Sequence, residues 1–326
     1  MFTFAGKLHI NNFSCIMANV IKIKKGLDIN LKGKASDVLL NGGKSESYAI
    51  VPDYYNGILP KVVAKVGEKV KAGSVLMIDK NRPEIKFVSP VSGEVTAVNR
   101  GEKRKVLSIV VKPDAQIEYE EFGKKNVASL QGAEVKEVLL NAGMWPFIKQ
   151  RPYDIVAAPL DTPRDIFVSA FYSAPLAPNF DFIVKGQEAD FQTGLNALAK
   201  LTNGKVYVGV RSGSVVSGMK GVEIVEVEGP HPAANVGVQI NHIKPVNKGE
   251  VVWTVNPADV IVIGRLFNKG VADFSRMVAI TGSETTERGY VKTISGCTIK
   301  SLVNGKVLGQ EHIRIISGNV LTGTKV

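Results

Sequence analysis

Apolar and polar residues alternate with a period of two along two successive stretches in the first third of the chain. The stretches are residues 59–78 and residues 86–111, and each contains a Gly-Glu-Lys turn. This alternation is typical of strands that bury only one face. Neither half can bury its apolar face alone, so we expect the two halves to fold onto each other as a small sandwich.

After this region, the spacing of apolar residues predicts helices and strands in alternation. We predict helices that begin at Ser129, Asp190 and Asn256 as N-caps, the first of them ending at Gly143. Short apolar runs predict strands at residues 166–170, 182–184, 206–210 and 222–227. Strand–helix alternation indicates an α/β domain with a largely parallel sheet. The peptide 144–153 between two such elements is predicted to be an aromatic and basic loop with two prolines.

The fold class we expect is multi-domain α+β. Residues 17–114 resemble a biotinyl/lipoyl-type barrel-sandwich, and residues 115–255 are predicted to form a Rossmann-like α/β domain. Residues 256–326 are predicted to form a linker helix and a β-grasp module. The last part resembles soluble-ligand-binding β-grasp modules in Arg276, Val278, Gly282 and the helix entry Gly296-Cys-Thr-Ile299. Residues 1–16 are interpreted as an upstream extension, with Met17 as the functional start.

Composition and charge narrow the class of protein. The chain is 44% hydrophobic and 22% charged, which is ordinary for a globular protein. Its net charge of +11 would suit nucleic acid, an anionic membrane face or an acidic partner. Lysines interleave with strand valines rather than with aromatic platforms, so we predict no nucleic-acid binding. No apolar run approaches the roughly 20 residues that span a bilayer, so no transmembrane segment is expected.

Cysteine usage argues against metal chemistry. The chain has Cys15 and Cys297 only, whereas an iron–sulfur cluster needs about four ligands. His231, His242 and His312 lie in unrelated contexts, so a structural zinc site is not expected either. Few cysteines also fit a reducing compartment.

A sandwich of this type raises the question of a covalent carrier lysine. Lys80 lies near the turn between the two halves, where carrier domains present their modified lysine. This turn is longer than a carrier turn and contains Pro83, so an unmodified structural sandwich is the prediction.

Several collinear segments carry a closer family resemblance. The order of the domains resembles that of the flavin- and NADH-binding subunit of complex I. Individual segments resemble the A subunits of sodium-translocating NADH:quinone oxidoreductases. These segments are residues 23–28, 86–93, 99–101, 202–208, 229–233 and 314–325. The resemblance implies a peripheral subunit on the cytoplasmic face of the bacterial inner membrane, in a complex that oxidises NADH, reduces ubiquinone or menaquinone and pumps sodium. It implies that partner subunits carry FMN, FAD, 2Fe-2S and riboflavin. Family members continue past the position of Lys325, so we expect a C-terminal region to be missing here.

The peptide 143–152 bears on whether this chain holds a cofactor. Flavin-binding relatives have a glycine-rich run at this place, whose N–H groups cradle phosphate. In this sequence Pro146 and Pro152 remove donors, and Trp145 and Phe147 would occupy the space of a flavin ring. We therefore predict that the chain binds no flavin or NADH. Together with the lack of metal-ligand patterns, this predicts a chain without a cofactor that is not catalytic by itself.

Quinone contact remains as a prediction for the same loop. A quinone needs flat apolar surfaces and one or two donors for its carbonyl oxygens. The candidate residues supply this combination: Trp145, Phe147, Lys149, Arg151 and Tyr153, with Tyr54 and Tyr55 from the sandwich. The alternative interpretation is that Trp145 and Phe147 pack a domain interface. His231, flanked by prolines and without a visible partner, is interpreted as structural.

Two other functions are compatible with parts of the sequence. A stand-alone β-grasp ligand-binding or adaptor protein would lack membrane partners. An electron-transfer subunit like the relative in the Rnf complex should show a Cys-x2-Cys-x2-Cys run, and this sequence has none.

Overall fold

The computed structural model describes residues 20–309 and 313–326. The predicted extension 1–16, Met17, Cys15 and His312 lie outside the described residues. In chain order the strands are β1 (Val20–Lys22), β2 (Leu39–Leu40), β3 (Tyr48–Ile50), β4 (Pro60–Val62), β5 (Lys69–Val70), β6 (Val75–Asp79), β7 (Lys86–Val88), β8 (Gly93–Arg100), β9 (Val106–Pro113), β10 (Ile148–Arg151), β11 (Ile155–Val156), β12 (Ile166–Ser169), β13 (Val206–Val210), β14 (Glu223–Glu228), β15 (Val252–Val255), β16 (Ser275–Ile280), β17 (Gly289–Ile294), β18 (Ile316–Ser317) and β19 (Thr324–Lys325).

The helices of the described residues fall into two groups. The α-helices are α1 (Gly132–Asn141), α2 (Phe180–Val184), α3 (Glu188–Ala199), α4 (Val236–Ile243), α5 (Pro257–Lys269) and α6 (Ile299–Val303). The 3-10 helices are Pro52–Tyr54, Glu102–Arg104, Val127–Ser129, Trp145–Phe147 and Val215–Gly218.

The two alternating stretches form the predicted sandwich. One sheet has the order β3-β9-β8-β5 and the other β4-β6-β7, so each sheet takes strands from both halves. The alternating apolar side chains point between the sheets, where Leu76, Phe87, Val95 and Ile109 are at most 2% exposed. Burial of these faces stabilises the sandwich by the hydrophobic effect.

The first two strands leave the sandwich and join other sheets. β1 pairs in parallel with β14, with Val20 opposite Glu226, and β2 pairs in parallel with β17, with Leu39 opposite Tyr290. Each short strand satisfies open hydrogen-bonding groups at a sheet edge. Alternation in residues 20–24 predicts the strand β1, but it does not predict that β1 pairs with β14, which lies far along the chain.

The α/β part is built on a seven-stranded sheet with the order β1-β14-β13-β12-β15-β10-β11. Five neighbouring strands of this sheet run parallel: β1, β14, β13, β12 and β15. The strands β10 and β11 extend the sheet beyond β15 in antiparallel pairing. α5 begins as predicted, because the Asn256 side chain accepts a hydrogen bond from Ala258 N–H at 3.0 Å and Pro257 is the first helical residue.

Helices α3 and α5 pack closely through glycine. A Cβ atom on Gly264 would lie 1.7 Å from the carbonyl oxygen of Asp190, and one on Gly194 would lie 2.1 Å from that of Val260. The two helices can therefore approach this closely only because Gly194 and Gly264 have no side chains.

Two predicted elements were wrong. Residues 182–184 are not a strand but part of α2, which Asn179 caps by accepting from Asp181 N–H at 3.1 Å. A segment of three apolar residues is too short to show a period, so its type depends on the cap. The predicted loop 144–153 is a 3-10 turn followed by β10, because its backbone pairs with β15.

Two N-cap predictions were also displaced. α1 follows Gln131, whose N–H donates to the Glu134 carboxylate at 2.7 Å, while Ser129 ends a 3-10 turn. α3 follows Gln187, so Asp190 lies in its first turn rather than at its cap. An acidic residue is favourable there because of the helix dipole.

The C-terminal part contains the sheet β16-β17-β2 and the short helix α6. The predicted helix entry is confirmed, since Thr298 precedes α6 and its N–H donates to Ser45 Oγ at 2.9 Å. Ile280, Val291 and Leu302 are its buried core.

Candidate functional site

The structure brings the two separate groups of candidate residues together. Val156 N–H donates to the Asn56 carbonyl oxygen at 2.9 Å, and Asn56 Nδ2 lies 3.5 Å from the Asp154 carbonyl oxygen. The peptide that follows Tyr54 and Tyr55 therefore lies against the hairpin β10–β11. Proximity of these segments, nearly a hundred residues apart, was not visible in the sequence pattern.

A guanidinium group fastens this contact. Arg82, in the turn between the sandwich halves, donates to the carbonyl oxygen of Gly57 at 2.8 Å and to that of Val156 at 3.1 Å. Its Nε donates to the buried carboxylate of Asp79 at 2.7 Å. The exposed Lys80 beside it takes no part in these bonds. The turn is thus a structural clamp between the sandwich and the hairpin.

Trp145 is in the interior. Its side chain is 0% exposed, its indole N–H donates to the Ala157 carbonyl oxygen at 2.8 Å, and its ring meets the edge of Trp253 at 5.3 Å between centroids. An indole with its donor satisfied and its faces covered acts as a core residue.

Phe147 lies between the α/β part and the C-terminal part. Its ring centroid is 6.1 Å from that of Phe274 and 5.3 Å from Cζ of Arg276. Phe147 thus has the packing role that the sequence left open as an alternative.

The charged candidates surround one carboxylate at the hairpin tip. Asp154 lies 3.9 Å from Lys149 Nζ and 3.5 Å from Arg151 Nη2. Arg151 Nε has no hydrogen-bond partner among the described residues. Tyr153, between them, is 76% exposed. The tip therefore presents an open aromatic ring beside two cations that share one carboxylate, while the unsatisfied Nε of Arg151 is itself buried.

The two sandwich tyrosines differ in their surroundings. Tyr54 is 57% exposed. Tyr55 packs edge-on against Phe87, with 4.8 Å between ring centroids. Burial raises the pKa of Tyr55, while the charge of Arg276 lowers it and that of Asp259 raises it. Tyr55 therefore borders a charged cluster that sequence reasoning did not find.

This cluster joins three parts of the chain. The Arg276 guanidinium donates to the Asp259 carboxylate and, through Nε, to Ser295 Oγ at 2.5 Å. Burial alone would lower the pKa of Arg276, but Asp259 raises it. Arg276 stood out in the sequence only as a mark of the β-grasp resemblance, and no spacing rule links it to Asp259 at the start of α5.

Tyr172 lies beside the same carboxylate. Its hydroxyl donates to Asn256 Oδ1 at 3.2 Å, and burial followed by the charge of Asp259 raises the pKa of Tyr172. Tyr172 follows β12 and Asn256 follows β15, so the bond crosses the point where strand order reverses in the parallel sheet. Ligands of open α/β sheets bind near such points.

His231 has a partner that the sequence did not reveal. Its Nδ1 lies 3.0 Å from Ser173 Oγ, and its backbone N–H donates to the Asp28 carboxylate at 2.8 Å. Ser173 Oγ also accepts from Ala234 N–H at 3.0 Å. These bonds tie the loops after β12 and β14 to the N-terminal segment, which agrees with a structural role.

Residues 20–309 and 313–326 offer neither a metal cluster nor a membrane-spanning helix. No group of three or more His, Cys, Asp or Glu side chains in this range is arranged to hold a metal ion. No helix in the same range is long and apolar enough to cross a membrane. That the chain carries no cofactor stays a prediction.

Comparison with known proteins identifies the three parts. Residues 21–114 match the family described as NqrA N-terminal barrel-sandwich hybrid domain. Residues 130–272 match the NqrA second alpha/beta domain, and residues 277–326 match the NQRA C-terminal domain. The sandwich and the mixed α/β class expected from the sequence are confirmed at this level.

Relatives that match along nearly the whole chain agree with these domain matches. The chain is 37% identical over 310 residues to the A subunit of the Na(+)-translocating NADH-quinone reductase of Photorhabdus laumondii, a match that covers 94% of this chain and 69% of the relative. It is 38% identical over 309 residues to the same subunit of Hahella chejuensis, covering 93% and 69%. A crystal structure of an NAD+-reducing NiFe-hydrogenase covers 62% of this chain and 47% of that chain at a TM-score of 0.36 and 10% identity, a similarity too low to inform fold or function.

These matches define a class of subunit built from a barrel-sandwich domain, an α/β domain and a C-terminal domain. The chain belongs to the NqrA family, the A subunits of the Na(+)-translocating NADH-quinone reductase. The family predicted from the collinear segments is confirmed.

Proposed function

We propose that this chain serves as the peripheral A subunit of a sodium-translocating NADH-quinone reductase. Identity of about 37% spread over 94% of the chain carries this proposal. The redox reaction would belong to the assembled complex, and this subunit would support quinone reduction and assembly from the cytoplasmic face of the bacterial inner membrane. A stand-alone adaptor is not favoured, because relatives that match along nearly the whole chain are subunits of the reductase.

The proposed architecture has three domains with the boundaries 17–114, 115–255 and 256–326. A Rossmann-like description of the second is supported by its parallel strands and the reversal of order between β12 and β15. A β-grasp description of the third is supported by its small sheet and by α6. Helix α5 is counted with the third domain in these boundaries, although it lies within residues 130–272 that match the second alpha/beta domain. It packs against α3 of the second domain and couples the two.

The proposed subunit has no redox cofactor of its own, so FMN, FAD, 2Fe-2S and riboflavin would reside on partner subunits. The pattern of residues 143–152 supports this. The Trp145 side chain is fully buried in the core. Pro146 has no N–H group to donate in the 3-10 turn, at the place where flavin-binding relatives offer donors.

We retain the predicted quinone contact, with different roles for its residues. Tyr153 and Tyr54 would provide exposed ring faces, and the partly exposed Lys149 Nζ and Arg151 Nη2 would donate to the quinone carbonyl oxygens. Trp145, Phe147 and Tyr55 would form the packed support behind this face. Ubiquinone and menaquinone share the carbonyl groups that such donors recognise.

Co-purification tests the assignment to the reductase. The tagged full-length protein, expressed in its native host, should isolate together with membrane subunits and with sodium-dependent NADH-quinone reductase activity. Deletion of the gene should abolish that activity in membranes, and a plasmid copy should restore it. Isolation as a single protein, with reductase activity intact in the deletion strain, would contradict the assignment and favour the adaptor.

A further inference from the structure

A cavity lies at the carboxyl ends of the parallel strands, separate from the β10–β11 hairpin. It has a volume of about 170 Å³ and is lined by the residues that follow β12, those that follow β13, the start of α2, and Lys34. In the sheet order, β15 stands between β12 and β10. None of the residues proposed for quinone contact lines the cavity. The cavity is thus at the carboxyl edge of the parallel sheet, where open α/β sheets bind ligands, and next to the reversal of strand order between β12 and β15.

One wall of the cavity holds a guanidinium group in a fixed position. Cζ of Arg211, the residue directly after β13, lies 4.7 Å from the ring centroid of Phe171. Phe171 is only 6% exposed, so the stacking platform is itself anchored. Within residues 20–309 and 313–326, the Arg211 guanidinium makes no ion pair and no side-chain hydrogen bond. A planar fork of donors is thus held in place with its hydrogen-bonding capacity unused.

Lys34 adds a second positive charge to the lining. It comes from the N-terminal segment and is exposed, and it has no ion pair with any described carboxylate. The two cations reach the cavity from segments that are far apart in the chain. Two cations against the single carboxylate in the lining, that of Asp181, leave a net positive charge that favours an anion.

The nearby carboxylates are already bound to donors. Asp181 Oδ1 accepts from Ser214 Oγ at 2.6 Å and from Val215 N–H at 3.2 Å. Asp37 accepts from Asn179 Nδ2 at 2.9 Å. Asp181 itself lines the cavity, and its uncharged donors leave its negative charge in place, so the lining carries two cations against one carboxylate. Arg211 lacks an acceptor among the described side chains, so its guanidinium group is free to bind a further anion.

The remaining lining is apolar and partly aromatic. Tyr172, Pro178 and Phe180 contribute to it, and Phe180 is 2% exposed. Ligand sites commonly combine such walls with a few placed polar groups. A compact apolar body would therefore be held next to the cationic end.

We propose that this cavity binds a small free organic anion, with one carboxylate or phosphate group on a compact apolar body. The Arg211 fork would bind two oxygens of the anion side by side, Lys34 would contribute its charge, and the body would lie against Tyr172 and Phe180. This site is independent of the quinone contact and of the assignment to the reductase.

Calorimetric titration of the full chain tests the proposal with benzoate, inorganic phosphate and benzamide. Benzoate should bind saturably, while benzamide, which has the same shape without the charge, should not. Saturable phosphate binding without benzoate binding would also support the site and assign it to phosphate. Failure of both anions to bind saturably would overturn it.

Variants locate the binding. Arg211→Lys keeps the charge but loses the fork, so affinity for the bound anion should fall by about tenfold. Lys34→Gln, at an exposed position that does not endanger folding, should weaken binding severalfold. Lys220→Gln, on the exposed loop after the same strand, is the matched control and should leave affinity unchanged. Equal affinity in the wild type and in both cavity variants would refute the site.

Discussion

The guanidinium of Arg265 lies 3.3 Å from the carboxylate of Asp273, where α5 leads into the C-terminal domain. Arg265 is 4% exposed, and its Nη1 also donates to the carbonyl oxygens of Asp273 and Ser275, each at 3.0 Å. Its Nη2 donates to Gln187 Oε1 at 2.6 Å. One buried cation thus fixes α5, the N-terminus of α3 and the start of β16 relative to one another.

Asp273 should make the stability of the protein depend on acid pH. Burial alone would raise its pKa, but hydrogen bonds from Ser275, the charge of Arg265 and a hydrogen bond from Lys269 lower it from 3.8 to about 2. Because the folded state favours the carboxylate, this stabilisation is complete above about pH 4 and is lost as the pH falls towards 2.

The variant Asp273→Asn should be less stable than the wild type by about 1 kcal/mol at pH 7, a figure reduced for solvent screening. The difference should shrink below pH 4, be small at pH 2 and vanish below it. Urea unfolding across this range measures it, with the exposed Glu287→Gln as control. A difference that persists unchanged at pH 2 would exclude this carboxylate as the source.

Trp145 should matter for stability. Trp145→Ala leaves a cavity beside Trp253 and should lower the free energy of unfolding by about 3–5 kcal/mol. Trp145→Phe keeps most of the packing but leaves the Ala157 carbonyl oxygen without its donor, at a cost of about 1–3 kcal/mol. Chemical denaturation measures both, with Leu160→Ala, at a residue 93% exposed, as a control expected within about 0.5 kcal/mol. Wild-type stability of Trp145→Ala would show that this side chain is dispensable for the core.

Members of the proposed quinone face should affect binding more than stability. Tyr153→Ala, at an exposed residue, should leave unfolding nearly unchanged, and both Tyr153→Ala and Arg151→Gln, at a half-buried residue, should weaken binding of a quinone analogue to the purified complex, each by about tenfold. Arg104→Gln, in the 3-10 turn between β8 and β9, serves as the matched control. Unaltered analogue affinity in both variants would place the quinone elsewhere.

The close approach of α3 and α5 predicts intolerance of any side chain at Gly264. A methyl group there would overlap the Asp190 carbonyl oxygen, which belongs to backbone and cannot move alone. Gly264→Ala should therefore destabilise the protein by about 2 kcal/mol or more, although alanine favours helices. Thermal unfolding measures the effect, and Gly237→Ala, where a Cβ meets no atom within 4 Å, is the control in another helix. Equal midpoints for the two variants would show that the helices can separate at little cost.

The Arg82 clamp should couple the barrel-sandwich domain to the hairpin. Arg82→Ala removes the cation beside buried Asp79 and should lower stability by about 3 kcal/mol. It should also speed proteolytic cleavage near residue 57, whose carbonyl oxygen loses its donor. The neighbouring Lys80→Ala should have no such effect. Limited proteolysis at native conditions checks this, and identical cleavage rates for both variants would remove the clamp role.

Local rules were sufficient where chemistry acts between near neighbours in the chain. The period-two stretches predicted the sandwich because side chains two residues apart share one face of a strand. Asn256 and Pro257 predicted the start of α5 because a cap and the residue it caps are adjacent. Local rules failed at α2, where three apolar residues show no period and the cap at Asn179 decided the element.

The sequence by itself thus determined the family, the barrel-sandwich domain, the mixed α/β class and most of the strands, since periodicity and collinear segments are properties of the chain alone. Only the tertiary structure decided what covers each face. It placed β1 beside β14, the peptide after Tyr55 beside the hairpin, Arg276 beside Asp259, and Arg211 over Phe171. The physical reason is that a pattern shows which side of an element is apolar or charged, while its partner is selected by shape, by open sheet edges and by charges that meet only after folding.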